Sequence, residues 1–210
     1  AQDTDPERLL STSPALPLNT FATLEGLLPG LMDKRAIFVG ERHTRYDHHL
    51  IQLEIIRRLH ERDRPVAVGM EMFQQPFQAS VDDYLAGRIG LNEMLRETEY
   101  YQRWRVDFRH YAPILEYARE HDLPVIALNV PTELTRAVGQ GGFKGLNEEQ
   151  RRQLPPDMAP AGSAYRERIR TVFDQHPQNG QRRFEHFLEA QLLWDEAMAA
   201  RAAAYLNAHP

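Results

Sequence analysis

The sequence contains no cysteine among its 210 residues. A disulfide framework, a thiolate nucleophile, a cysteine-ligated zinc site and a thiolate haem ligand are therefore excluded within it. No stretch approaches the roughly 18 consecutive apolar residues that a membrane-spanning helix needs. Basic residues are not in excess, because 25 Lys and Arg stand against 30 Asp and Glu. With a net charge of −5 and no basic cluster, a nucleic-acid-binding surface is not expected.

Three short apolar runs are present instead, at residues 36–40, 65–70 and 124–129. Each is typical of a buried parallel strand, and helical patterns separate them. Alternation of strand and helix predicts an α/β fold, with a parallel Rossmann-like sheet flanked by helices. We expect residues 1–210 to form a single domain.

The helices are predicted from the spacing of apolar residues between and after the strands. The first covers 45–61, with Thr44 as its cap. The insertion at about 76–121 carries at least two helices, and an aromatic stripe from Trp104 to Tyr111 has helical spacing. A short helix is predicted at 131–140, and the C-terminal helices are predicted at about 164–207.

Function is expected where the strands end, because ligands of such sheets bind beyond the carboxyl ends of the strands. Glu41 and His43 follow the first strand directly, while Glu71 and Asn129 end the second and third. Glu41 and His43 suit a metal site, a haem site or an acid–base pair. Glu41 could instead satisfy backbone donors at the helix start, and Glu71 could simply pair with an arginine.

Two adjacent histidines, His48 and His49, begin the helix after the first strand. They point about 100° apart, so we do not expect them to hold one ion together. His48 is in line with Gln52, Ile55 and Leu59, which favours an inward orientation close to the site. Either histidine could equally be a hydrogen-bonded residue at the edge of the core.

Further ligand candidates come from the aromatic insertion and from the second strand. Tyr100, Tyr101 and Tyr111 are candidate phenolate ligands of ferric iron, and Met70 and Met72 are candidate haem ligands. A methionine beside a buried strand is more often a packing residue. The Trp104–Tyr111 stripe is either the buried face of a helix or a wall for a flat apolar ligand.

Several blocks of this sequence resemble, in the same order, the ChaN-like haem-binding lipoproteins. The blocks extend from about residue 20 to about residue 205. They are Val39-Gly-Glu-Arg-His43, Asp47-His48-His49, Met72-Phe73, Trp104 to Ala118, Pro124 to Asn129 and Leu193-Trp194-Asp195-Glu196-Ala-Met198. The family is similar to erythromycin-esterase-like and Tiki-like proteins, which share paired Gly-x-x-His motifs.

This resemblance implies haem binding connected with iron acquisition, and attachment to a bacterial envelope through an N-terminal lipid. The expected location is the periplasm or the outer membrane, and envelope haem-uptake components are expected partners. The polar start at Ala1 is expected where a targeting segment has been removed. Family members continue past the Trp194 helix into another strand and a second Gly-x-x-His motif, so the resemblance implies that the second half of the expected site is missing from residues 1–210.

The combined hypothesis is a binding protein for haem, with no catalytic residues assigned. Its predicted ligand-contacting residues are Glu41, His43, His48, His49, Glu71, Tyr111 and Asn129, and its predicted iron ligands are His43 and His48. A homodimer is expected because an open cleft would leave one face of a flat ligand exposed. The alternative is a metal-dependent hydrolase that uses Glu41 and His43. A third reading is an adaptor that kept only the scaffold.

Overall fold

The computed structural model describes residues 23–156, 158–175 and 183–209. The chain separates into two compact units, residues 1–37 and 38–210. The first unit contains helix α1 (Leu24–Met32), whose N-terminus is capped by the Thr23 hydroxyl, an acceptor for the Gly26 amide at 3.3 Å. The single domain expected over 1–210 stays a prediction.

The second unit contains a parallel two-stranded sheet, formed by β1 (Val68–Gln74) and β2 (Val125–Asn129). Val68 lies opposite Val125, and the register becomes irregular between Met70 and Gln74. Both strands are mostly buried, as expected of a parallel sheet with helices packed around it. The predicted α/β class with a parallel sheet is therefore confirmed.

The strand predicted at 36–40 is not formed, which corrects the expectation of three strands. These five residues carry no regular structure, and the Phe38 side chain is 85% exposed. The Gln52 side-chain amide donates to the Val39 carbonyl at 3.1 Å, which is a bond that a neighbouring strand would otherwise make. An apolar run becomes a strand only where a neighbour completes its ladder.

Nine further helices are described in the second unit, together with three short 3-10 turns. The helices are α2 (Tyr46–His60), α3 (Gln78–Leu85), α4 (Leu91–Glu97), α5 (Tyr100–Arg103), α6 (Ala112–Glu120), α7 (Thr132–Gly141), α8 (Glu148–Arg152), α9 (Ser163–Asp174) and α10 (Phe184–Ala208). The 3-10 turns are Gln75–Phe77, Phe108–His110 and Phe143–Gly145. The helices predicted at 131–140 and about 164–207 are confirmed, apart from residues 176–182, which lie outside the described residues.

The predicted cap of the first helix is wrong. Helix α2 begins at Tyr46, and Arg45, not Thr44, is its capping residue, without a side-chain hydrogen bond. The reason is a backbone turn in which the Arg45 amide donates to the Arg42 carbonyl at 2.8 Å. This turn delays the start of the helix and carries His43 on its outer side.

The aromatic stripe at 104–111 does not form one helix, which corrects the helical structure predicted from its spacing. The backbone of Arg105 is left-handed (φ 65°), and the Asp107 carboxylate accepts from the Arg109 amide at 2.9 Å to start a 3-10 turn. Pro113 then favours the start of α6. Phe108 and Tyr111 are buried nonetheless.

Two apolar cores surround the sheet. The larger joins the sheet to the helices of the insertion, around Phe73, Val81 and Leu115. The smaller begins at Val130, directly after β2, and joins α7 to α10. Helix α10 also contacts β2, which brings its side chains close to the strand end. Among the described residues, no helix is long and apolar enough to span a bilayer.

Candidate functional site

Glu41 is the centre of a hydrogen-bond network beside the sheet. One carboxylate oxygen, Oε1, accepts from the Tyr111 hydroxyl and from His43 Nδ1, each at 2.7 Å. The other, Oε2, lies 2.9 Å from His49 Nδ1. The turn before α2, the first turns of α2 and the start of α6 therefore meet at one carboxylate. Four of the predicted site residues are brought together here.

The network decides the charge of Glu41. Burial alone would raise the pKa of Glu41, but the hydrogen bonds from His43 and Tyr111 and the charge of His49 outweigh it. The pKa of Glu41 is therefore held below its usual value. The carboxylate stays ionised and is available to orient the histidine that faces solvent.

His49, not His48, is the inward-facing histidine of α2, which reverses the prediction. Its side chain is 1% exposed, and its Nε2 donates to the His43 carbonyl at 3.1 Å while Nδ1 faces Glu41. Both ring nitrogens thus lie against oxygen atoms, Nε2 against the His43 carbonyl and Nδ1 against the Glu41 carboxylate. His48 is half-buried, and its Nδ1 accepts from the Arg42 amide at 3.1 Å, so it fastens the turn.

Tyr111 supports the network from inside the core. It is 1% exposed. Its oxygen accepts a hydrogen bond from the Trp104 indole at 3.2 Å, and its hydroxyl donates one to Glu41. Burial raises the pKa of the Tyr111 phenol, and the Glu41 carboxylate raises it further. This phenol is therefore kept neutral and already has both partners.

His43 is the network member that reaches outward. Its side chain is 46% exposed, and its ring meets the edge of Trp104 with centroids 4.8 Å apart. Because Nδ1 is bonded to Glu41, Nε2 is the nitrogen left for a ligand. A carboxylate behind the far nitrogen is the usual way in which a metal-binding histidine is oriented.

A cavity of about 240 Å³ opens beside His43 at the ends of the strands. Its lining combines indole and aliphatic surface with a few polar groups. The lining residues are His43, Met72, Gln74, Arg103, Trp104, Val106, Asn129, Thr132 and Trp194. His48, His49, Tyr111 and Glu71 are not among the described residues that line it.

Glu71 does not end the second strand, which corrects the prediction. β1 continues to Gln74, so that Glu71 lies inside the strand while Gln74 faces Asn129 at its end. Burial raises the pKa of Glu71, partly offset by the charge of His43, and Glu41 and Asp195 raise it further. Asn129 does lie at the end of β2, where its side-chain amide donates to the Glu71 carbonyl at 3.2 Å.

The hydrolase alternative needs a metal centre as well as the Glu41–His43 pair. In the described part of the chain, no group of three or more His, Asp or Glu side chains is placed to hold a metal ion. Use of Glu41 and His43 as an acid–base pair stays a prediction.

Comparison with models of protein families identifies the family of this chain. A sequence model of the family described as "Haem-binding uptake, Tiki superfamily, ChaN" matches residues 27–210. The chain belongs to this family. The resemblance seen in the blocks from Val39 to Met198 is thereby confirmed, and the Glu41 network and the cavity both lie inside the matched part of this ChaN-family chain.

Two relatives of the ChaN-family chain were compared in more detail. The solved structure described as "Cofacial heme binding to ChaN of Campylobacter jejuni" matches with a TM-score of 0.65 and 16% identity, over 86% of this chain and 70% of the other. At that identity the likeness shows the fold. Protein RETICULATA-RELATED 5, chloroplastic, from Arabidopsis thaliana is 32% identical over 143 residues. That match covers 64% of this chain and 18% of the plant protein.

Sequence reasoning did not assign several residues that line the cavity of this ChaN-family chain. Gln74 and Thr132 each lie at or just beyond a strand end, so a correct end for β1 would have pointed to them. Trp194 belongs to the last block of the resemblance, and the contact of α10 with β2 brings it in. Nothing in the sequence pattern pointed to Arg103, because the short helix that it ends was not distinguished from the aromatic stripe that follows it.

Proposed function

We propose that this chain binds haem in the cavity at the strand ends, with Nε2 of His43 as an axial ligand. The observation that carries this proposal is the exposed His43 ring, which is held by Glu41 and borders an indole-lined cavity. Haem, when bound, supplies an iron centre that takes an imidazole nitrogen as a ligand. The name of the matched family supports this ligand class.

The residues present fit such a group. Trp104 and Trp194, with Met72 and Val106, offer the apolar surface that a porphyrin plane requires. Tyr111 is not assigned as an iron ligand, because its hydroxyl already donates to Glu41 and accepts from Trp104. Glu41, Tyr111 and His49 therefore position His43 and keep its Nδ1 proton in place, while His43 itself meets the iron.

Titration with haemin tests this assignment. We expect His43→Ala to shift the Soret band and to weaken haemin binding by about tenfold or more, the scale of one lost bond of about 1.4 kcal/mol. His48→Ala is expected to have a smaller effect, through the turn that it fastens. His209→Ala, at the exposed end of α10, is the matched control. An unchanged spectrum and affinity for His43→Ala would remove His43 as a ligand.

We further propose that two copies of the chain associate when haem is bound. Pockets that enclose a drug-sized ligand measure about 300–1,000 Å³. A cavity of about 240 Å³ therefore surrounds only part of a haem and leaves apolar surface for a second copy to cover. The solved neighbour described as binding haem cofacially supports this arrangement.

We also propose a role in haem or iron uptake at a bacterial cell envelope, together with other envelope haem-uptake components. The support is the word "uptake" in the description of the family, and the resemblance to lipid-anchored ChaN-like proteins. Cell fractionation of the native host, followed by growth on haem as the iron source with and without the gene, tests it. Recovery of the protein in the cytosolic fraction, or equal growth, would contradict this role.

A further inference from the structure

Arg103 is the arginine among the described residues that line the cavity, and it brings a positive charge to that lining. It is the last residue of α5, and its side chain is only 15% exposed. The guanidinium carbon lies 4.9 Å from the centre of the Phe77 ring, which supports the stem and the charge from below. A mostly buried cation beside an indole-lined cavity is a strong attractor for an anion.

The position of Arg103 is fixed from the ends of both strands. Its Nη1 donates to Gln74 Oε1 at 2.9 Å, and the same oxygen accepts from the Thr132 amide at 3.2 Å. The amide nitrogen of Gln74 donates to the Thr132 hydroxyl at 2.5 Å. Gln74, which is itself fixed by Thr132, therefore holds the guanidinium at the cavity through uncharged hydrogen-bonding groups. This support remains when a charged partner of Arg103 is released.

The charged partners of Arg103 lie on the solvent side. Nη1 donates to Glu133 Oε2 at 3.0 Å, and Nε donates to Glu99 Oε2 at 2.9 Å. The Glu99 and Glu133 side chains are 49% and 65% exposed. Because these two carboxylates are exposed, each returns to water when it is released from Arg103, which keeps the cost of the release low. Either glutamate can therefore be replaced by another carboxylate at small cost.

We propose that Arg103 anchors a carboxylate of the ligand, a propionate if the ligand is haem, and that Glu133 occupies this position until the ligand arrives. The inference rests on the proposed haem function and names the groups that bind the two ends of the molecule. In this proposal His43 binds the iron and Arg103 binds the carboxylate. Guanidinium forks match carboxylates in two-point geometry, whereas lysine would offer a single point charge.

The alternative role for Arg103 is structural, as a clasp between α5, β1 and α7. A clasp would affect every ligand of the cavity equally, whereas an anchor affects only ligands that carry a carboxylate. The comparison of a porphyrin with its dimethyl ester therefore separates the two roles. The metal-free porphyrin removes the bond to His43 from the comparison.

The experiment titrates haemin, protoporphyrin IX and the dimethyl ester of each into the full chain, in one detergent buffer, by absorbance. We expect Arg103→Gln to weaken binding of both free acids by about tenfold or more, with the Soret position of bound haemin unchanged. Both esters should bind the variant and the parent equally. Arg96→Gln, which breaks an exposed pair with Glu93, is the matched control and should change nothing.

Glu133→Gln provides an independent arm that leaves the Arg103 side chain and its bond to Gln74 in place. Because it removes the competing carboxylate, it should tighten the free acids several-fold and leave the esters unaffected. Equal losses for acids and esters in Arg103→Gln, or no change for Glu133→Gln, would overturn the anchor while haem binding stands. If neither haemin nor its ester binds the parent chain, the proposed function and this inference fail together. Should Arg103→Gln not fold, Arg103→Lys and Glu133→Gln decide the matter alone.

Discussion

At the scale of single residues, the site depends on one carboxylate with three close partners. Glu41 accepts hydrogen bonds from Tyr111 and His43 and lies 2.9 Å from His49 Nδ1, and the three partners come from different elements. A charged acceptor makes hydrogen bonds worth about 1.5–3 kcal/mol, more than neutral ones. Glu41 therefore both orients His43 and joins α2 to the start of α6.

Glu41→Gln tests this double role through stability and its dependence on pH. The pKa of Glu41 is lowered in the folded protein, so its contribution is present above the ordinary carboxyl value and is lost as the pH falls through the lowered one. We expect Glu41→Gln to lower the free energy of unfolding by about 2 kcal/mol at pH 7. Urea unfolding should show this difference shrinking at pH 3.5.

Glu116→Gln, on the exposed face of α6, is the control and should leave the unfolding curve unchanged at both pH values. A loss in Glu41→Gln that is as large at pH 3.5 as at pH 7 would mean that shape, not charge, is what Glu41 contributes. The bound-haemin spectrum of Glu41→Gln should move as well, because His43 would lose its charged partner.

At the scale of elements, α7 begins at Thr132, which lines the cavity and whose amide donates to Gln74. The helix ends at Gly141 and is capped by Gly142, whose φ is positive (66°). A Cβ at this position would lie 2.6 Å from Oε2 of Glu189, the same oxygen that accepts from the Phe143 amide. The end of α7 therefore needs glycine for two reasons, conformation and space.

Two glycine substitutions, one inside α7 and one at its C-cap, should act in opposite directions. Gly142→Ala is expected to destabilise the fold by about 1–3 kcal/mol, because it strains the backbone and displaces Glu189. Gly139→Ala, inside the same helix with nothing within 4 Å of the new methyl group, should stabilise by about 0.5–1 kcal/mol. Thermal unfolding of both variants checks this, and equal signs would contradict it.

The elements also show how far the sequence predicts this molecule. Apolar runs correctly placed β2 and the first residues of β1, and helical patterns in the sequence placed α7 and α10 approximately. The run at 36–40 failed because strand formation depends on a partner that is distant in the sequence. Glu71 was misplaced because the apolar residues Met72 and Phe73 extended β1. Periodicity alone could not decide between His48 and His49, since Gln52 and Ile56 both face the core side of α2.

At the scale of the whole molecule, the proposed association of two copies is open to direct measurement. A cavity that surrounds only part of a haem predicts that haemin shifts the equilibrium towards dimer. Sedimentation of the full chain should show a larger species with one haemin per chain than without it, and His43→Ala should abolish the shift. A monomer under both conditions would contradict the proposal.

The chain contains two tryptophans, Trp104 and Trp194, and both line the cavity. All tryptophan fluorescence of the chain therefore comes from side chains that line the proposed ligand site. A porphyrin entering there lies in contact with both rings, where quenching of their emission is strongest. Trp104→Phe and Trp194→Phe divide the signal between the side near His43 and the side of α10. The unmodified protein thus carries its own optical reporter of occupancy, which needs no label and no metal.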